Sequence, residues 1–197
     1  DAARTFIAWF RTMQEPGNTY PLLFHYGKSG SNNQVFDVDL NADSDVNGVP
    51  ISGEIAASQW GDSVTTLRKA NDGQWHFVSI TVDPDSPPGA SGRPLWSVYL
   101  DGQYELAKAM DTNTVLDGLG GVLGWTHGFS SAQRWQGEID EAAVFGTALT
   151  ESQIRSLYCA ATGETPGSAR VMPPSGIVGW WSGDGHAKDI IGPNNGT

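Results

Sequence analysis

The residues best placed to do chemistry lie between Asp43 and Glu54, in the stretch DSDVNGVPISGE. Asp43, Asp45, Asn47, Gly48 and Glu54 match the calcium-loop spacing D-x-D-x-N-G-x5-E position by position. Oxygens on every second side chain can surround one hard cation, and the glycine admits the sharp bend between them. The same stretch reads equally as an acidic hairpin turning at Asn47-Gly48, a type I′ pair. Neither flank is an amphipathic helix, and Pro50 lacks the backbone donor that the helix-loop-helix form uses. Both readings therefore stay open. A formal charge of −11 over 197 residues suits calcium ligation or plain solubility, and it excludes nucleic acid as a partner, because phosphates require a basic surface.

Flat aromatics beside hydrogen-bonding neighbours are the second chemical signal. A sugar ring has an apolar face and a polar edge, so its receptor needs an exposed ring flanked by polar groups. Trp60, Trp125 and His127 stand in loop-like contexts of this kind and are the candidate ligand-binding residues. Packing against a neighbouring turn would use the same side chains. Trp9, Trp75, Trp96 and Trp135 fall in alternating stretches and are expected in the core. No catalytic residue is expected: the four histidines have no HExxH spacing, and no Ser or Cys sits in a nucleophile motif.

Short strands joined by turns must position these groups. Twenty-five glycines, eleven prolines and a charged fraction of only 17% favour β structure over helix. In the stretch from Asp1 to Thr12, Phe6, Ala8 and Phe10 alternate with Ile7 and Trp9, so both faces are apolar and the strand belongs inside a sandwich. Residues 20–26, 35–40, 50–56, 63–68, 74–83, 95–100 and 120–124 read as further strands, with Asp101-Gly102 as a hairpin turn. Within residues 35–40, Asp37 and Asp39 share a face opposite Phe36, Val38 and Leu40. Cys159 is the only cysteine, which excludes an internal disulfide. No membrane-spanning run is present in the sequence.

One helix is written out fully. Thr150 and Gln153 form a capping box, Leu149 and Ile154 a hydrophobic staple, and Ile154, Leu157 and Tyr158 share a face that should dock on a sheet for one-and-a-half to two turns. Gly163 is the expected stop, and residues 164–176 have linker composition.

The segment Trp135, Gly137, Ile139-Asp140-Glu141, Val144-Phe145, Ala148-Leu149 resembles the closing strand and helix of laminin-G-like, concanavalin A-like jelly-roll domains. Trp75-His76 and Tyr99-Leu100-Asp101-Gly102 add to the resemblance, and GIVGWWSGDGHAKDIIGPNNGT after residue 175 is similar to the opening strand of another such repeat. The resemblance implies an all-β, antiparallel two-sheet sandwich with one short C-terminal helix. Residues 1–163 would form the domain, without its first hairpin, 164–176 the linker, and 177–197 the opening strand and turns of a next repeat. It further implies structural calcium held by Asp140, Asp189 and Asn195, in a calcium-supported, non-catalytic module for a glycan or an extracellular protein. Its place would be a secreted or cell-surface tandem-repeat protein, with no membrane insertion. A spacer repeat of an adhesin, with no ligand, is the alternative. A degenerate laminarinase-type glycoside hydrolase comes third: Glu138-Ile139-Asp140-Glu141 resembles the start of that signature, but Ala142 and Ala143 stand where the second catalytic carboxylate belongs, and Glu141 would face away from Glu138 on a flat strand.

The apolar segment Ile177–Trp181 needs a place to pack. A linker of this length reaches roughly 40 Å when extended. Gly176 to Gly183 is therefore expected beside Gly137–Phe145 in the same chain, with a strand-swapped dimer as the intermolecular form of the same pairing.

Overall fold

The computed structural model describes residues 2–28, 30–42, 52–85, 92–116, 120–125, 131–163 and 174–196. Its organising strand is β1 (Arg4–Thr12), whose two apolar faces demand cover on both sides. β1 lies between β6 (Trp75–Asp83) and β10 (Gly137–Phe145). With β7 (Leu95–Leu100), β8 (Gln103–Ala109) and β11 (Ile177–Trp181) they build a six-stranded sheet in the order β11-β10-β1-β6-β7-β8. The opposing sheet runs β5-β4-β3-β2-β9, from β2 (Leu22–Gly27), β3 (Val35–Leu40), β4 (Glu54–Ser58), β5 (Ser63–Lys69) and β9 (Gly121–Leu123). Every ladder between these strands is antiparallel. The two sheets face each other as a jelly-roll sandwich.

Phe6, Ala8 and Phe10 point into the space between the sheets. The Phe6 ring stacks on Phe24 with centroids 4.4 Å apart, and Phe36 meets the fully buried Trp96 at 5.2 Å. On the other face of β1, Ile7 and Trp9 join Phe77 and Phe145 in a second apolar layer. Helix α1 (Glu151–Thr162) covers that layer with Ile154, Leu157 and Tyr158, and the Tyr158 ring stacks over Trp9 at 5.7 Å. Full burial of a side chain such as Ile154 contributes about 2 kcal/mol.

The helix starts as its sequence requires. Thr150 Oγ1 accepts the Gln153 N–H at 3.3 Å, and Gln153 Oε1 accepts the Thr150 N–H at 2.8 Å. Leu149 is buried beside Ile154. At 12 residues the helix exceeds the expected two turns. Ala160 and Ala161 favour helix, and burial of Cys159 rewards the extra turn, so the helix ends only at Gly163, whose N–H donates to Cys159 O at 2.9 Å.

Two expectations change. Trp75 is 41% exposed rather than in the core. It opens β6 opposite Arg11, whose guanidinium lies 5.3 Å from its ring, so a cation rather than a sheet covers the indole. β8, QYELAKA, is built of helix-favouring residues and gave no strand signal, yet it pairs along all of β7. The Asp101-Gly102 turn has both residues at positive φ (53° and 71°), the type I′ geometry that feeds a hairpin, and cross-strand pairing overrides local propensity.

Candidate functional site

Among the described residues no helix lies over the outer face of the five-stranded sheet. β3 places Asp37 and Asp39 two residues apart on this face, and β4 sets Ser58 opposite Asp37 and Ala56 opposite Asp39. These residues floor a groove of about 640 Å³. Tyr20, 40% exposed, and Trp60, 37% exposed, border it, with Asn32, Asn41, Asp62 and Gln133 among the remaining lining groups. Trp60 sits at φ 63°, a left-handed conformation that is costly for a bulky residue, at the turn between β4 and β5. The turn is tied down by Gln59 N–H donating to Asp62 O (3.2 Å) and Asn33 N–H donating to Gln59 O (2.7 Å).

The floor carboxyls are buried, Asp37 at 5% exposure and Asp39 at 4%. His25, from β2, lies under the groove with Nδ1 2.6 Å from Asp37 Oδ1 and Nε2 3.0 Å from Gly27 O. A carbonyl only accepts, so Nε2 carries a hydrogen and one further proton is shared between Nδ1 and Asp37. Burial pushes the Asp37 carboxyl above the usual range, and the His25 bond opposes that shift. At the rim, Lys108 of β8 forms an ion pair with Asp62.

The profile of the concanavalin A-like lectin/glucanases superfamily matches residues 1–155. The chain belongs to that superfamily. This laminin-G-like sandwich is similar over all of its length to 51% of a candidate carbohydrate-binding protein from Bacteroides ovatus, at 16% identity and a TM-score of 0.69; the chain thus spans about half of that protein. A SAP-like pentraxin from Limulus polyphemus matches 90% of the chain over 80% of its own, at 16% identity and a TM-score of 0.55. The CBM40 of a Ruminococcus gnavus IT-sialidase matches 80% of the chain over 83% of its own, at 13% identity and a TM-score of 0.54. At these identities the likeness is one of fold.

Of the residues singled out in the sequence, the laminin-G-like fold brings Trp60 to the groove. Trp125 follows β9 at the opposite edge of the sheet, outside the groove lining, where the Arg134 guanidinium covers its ring at 4.6 Å. His127, Asp43, Asp45 and Asn47 lie outside the described residues. Glu54 opens β4, and its Oε2 is buried with no hydrogen-bond partner among the described residues. Tyr20, Asp37, Asp39 and Asn41 were not anticipated as site residues. The signal for two of them was present: Asp37 and Asp39 alternate with core residues on one strand.

At the far corner β11 pairs with β10, the strand of Asp140, through Ala142↔Trp181, Ala143↔Trp180, Val144↔Gly179 and Phe145↔Ile177, and Asp189 and Asn195 lie in the turns after β11. Asp189 accepts the N–H groups of Trp180 and Ile191, both at 3.0 Å, and that of Asn194 at 3.2 Å. Burial works to raise its carboxyl, but these donors, with Gly192 N–H and the Asn194 amide, outweigh it and hold the group at about 2. Asn195 Oδ1 accepts the Asp189 N–H at 3.1 Å. Asp140 Oδ1 accepts the Glu141 N–H at 2.9 Å, and a Cβ on Gly183 would come within 2.6 Å of that oxygen, so β10 and the turn after β11 approach as closely as glycine permits.

β10 is not flat here. Ile7 pairs with Ala143 and Trp9 with Asp140, which leaves Glu141 and Ala142 opposite Ala8 alone: a β-bulge with Glu141 at φ 50°. The bulge puts Ile139, Ala142 and Val144 together against the core, and the flat-strand argument about Glu141 does not hold. Glu141 instead accepts a hydrogen bond from the Trp180 indole. Burial raises its carboxyl, the Trp180 bond opposes this, and the neighbouring Asp140 and Asp184 charges add to the rise. Glu138 pairs with Arg11 at 2.7 Å on the surface.

Proposed function

We propose that this domain is a non-catalytic binding module that takes a glycan in the groove of its five-stranded sheet. The observation that carries the reading is the groove itself. Two exposed aromatic rings at its border offer apolar faces, and buried carboxyls with neighbouring amides and hydroxyls on its floor offer hydrogen bonds to sugar edges. Structural neighbours named for carbohydrate binding support it, among them domain 4 of an extracellular arabinanase from Geobacillus stearothermophilus in complex with arabinotriose (18% identity, TM-score 0.50). A glycosidase needs one nucleophile and one acid facing each other across the substrate. Asp37 is committed to His25 and Asp62 to Lys108, so no uncommitted pair lines the groove among the described residues. Titration calorimetry against an oligosaccharide panel tests the proposal, with Trp60→Ala and Tyr20→Ala expected to weaken binding about tenfold each. Undiminished binding in both variants moves the site elsewhere.

Calcium belongs to this proposal as a structural support. The carboxylates disposed to share a cation at the β10–β11 corner are Asp140, Glu141 and Asp184, whose mutual repulsion a cation would relieve. Asp189 and Asn195 shape the turn beside them, and Asp189 is already saturated by N–H donors. Among the described residues no three carboxylate, histidine or cysteine side chains stand at ligating separation, so a cation here would draw them together. Glu54, with its buried partnerless oxygen, is the described member of the Asp43–Glu54 set. Calcium at a hundredfold its Kd would raise stability by about 2.7 kcal/mol, and melting that is identical in chelator and in calcium removes the ion from the proposal. A secreted or surface setting suits such a module, and no described helix is long and apolar enough to cross a membrane.

A further inference from the structure

The groove contains its own counterions, and this bears on which glycans it accepts. Among the described residues three carboxyl side chains line it, from Asp37, Asp39 and Asp62, and no lysine or arginine does. An anionic sugar, sialic acid or a uronate, is normally held by a guanidinium or ammonium fork. Here the ammonium of Lys108, at the rim, is spent on Asp62 and on the Ser63 carbonyl, 3.2 Å away. An anionic ligand would meet carboxyl oxygens there in place of donors of positive charge.

A cationic sugar gains little either. Asp62 is matched by Lys108, and Asp37 shares one proton with His25, a combination with no net charge whichever partner holds the proton. Asp39 is 4% exposed, too withdrawn to give an ammonium ligand a solvent-excluded ion pair without rearrangement. Vicinal hydroxyls are what remain. Each can donate to a carboxyl oxygen or to the Asn41 side-chain carbonyl, while the ring's apolar face rests on Trp60 or Tyr20.

We infer that the groove selects uncharged, hydroxyl-rich glycans and rejects both acidic and amino sugars, because Lys108 and His25 neutralise its carboxyls from within. The inference rests on the glycan-binding reading and adds ligand class to it.

The experiment is calorimetric titration of the whole chain with three pools. These are neutral arabino-, xylo- and gluco-oligosaccharides, anionic sialyllactose and oligogalacturonate, and cationic chitosan oligomers. Binding is expected in the neutral pool alone, with a Kd that changes by less than about twofold from low to half-molar salt, since no net charge is exchanged. Lys108→Gln, which unpairs Asp62, is expected to improve chitosan binding by roughly tenfold, and an unfolding scan of the variant reports whether it is folded. Binding of an anionic or cationic pool by the unaltered chain, or a steep salt dependence, overturns the charge argument and leaves the glycan reading intact. Absence of binding in all three pools overturns the glycan reading and this inference with it.

Discussion

The two sheets treat their outer faces differently. On the six-stranded sheet Ile7, Trp9, Phe77, Ala143 and Phe145 face outward and α1 lies over them, so the middle of this sheet is buried on both sides. On the five-stranded sheet Asp37, Asp39 and Ser58 face outward, no helix among the described residues covers them, and a groove remains. One face has its partner within the chain. The other carries carboxyls buried to about 95% on the floor of an open groove, Asp37 among them held by His25. Stability should therefore reside mainly on the helix side and recognition on the groove side.

The strongest way to break this comparison is Ile154→Ala. It removes the fully buried centre of the helix contact and is expected to cost about 3 kcal/mol of stability, read as a lowered denaturant midpoint, with glycan affinity unchanged. Affinity that falls with it would couple the two faces. Trp60→Ala is the mirror experiment. It should cost around 1.4 kcal/mol in binding, a tenfold rise in Kd, and leave the melting temperature level or slightly raised, because a strained left-handed backbone loses its bulkiest occupant. A large drop in melting temperature would make Trp60 a structural residue.

Two smaller effects sharpen the helix side. Asp189 has its carboxyl depressed to about 2, so its contribution is present above the ordinary carboxylate value near 3.8 and is lost as pH falls through about 2. Acid unfolding followed by tryptophan fluorescence should show a step in that window that Asp189→Asn removes. Thr150→Ala deletes one half of the capping box and should cost about 1 kcal/mol, with binding unaffected. A neutral result would mean that the staple of Leu149 and Ile154 alone sets the helix start.

The helix side was legible in the sequence because its determinants are local. Thr150, Gln153, Leu149 and Ile154 lie within five residues of one another, and the double alternation of Phe6 to Phe10 states directly that β1 needs two covers. The groove was legible only in part. Trp60 stood out by its loop context, whereas Tyr20, Asp37, Asn41 and Asp62 come from separate segments, and only strand order brings them together. β8 escaped because QYELAKA carries no β propensity of its own and owes its conformation to β7. Trp75 looked like core because its strand alternates, and nothing local announced that Arg11 would lie across it. The β10 bulge did leave a trace: Ile139, Ala142 and Val144 cannot share a face on a period of two unless one residue is extra.

The central position of β1 has a kinetic consequence for its amides. β1 is laddered to β6 and β10 at once, whereas β11 is laddered to β10 on one side, through four residue pairs, and meets the turn of residues 189–194 on the other. Protons on the peptide nitrogens of β11 can be traded with solvent deuterium whenever that edge opens, without disturbing the rest of the sheet. Those around Ala8 must wait for the whole sandwich to come apart, so their exchange rate is a clock for global unfolding, read without denaturant.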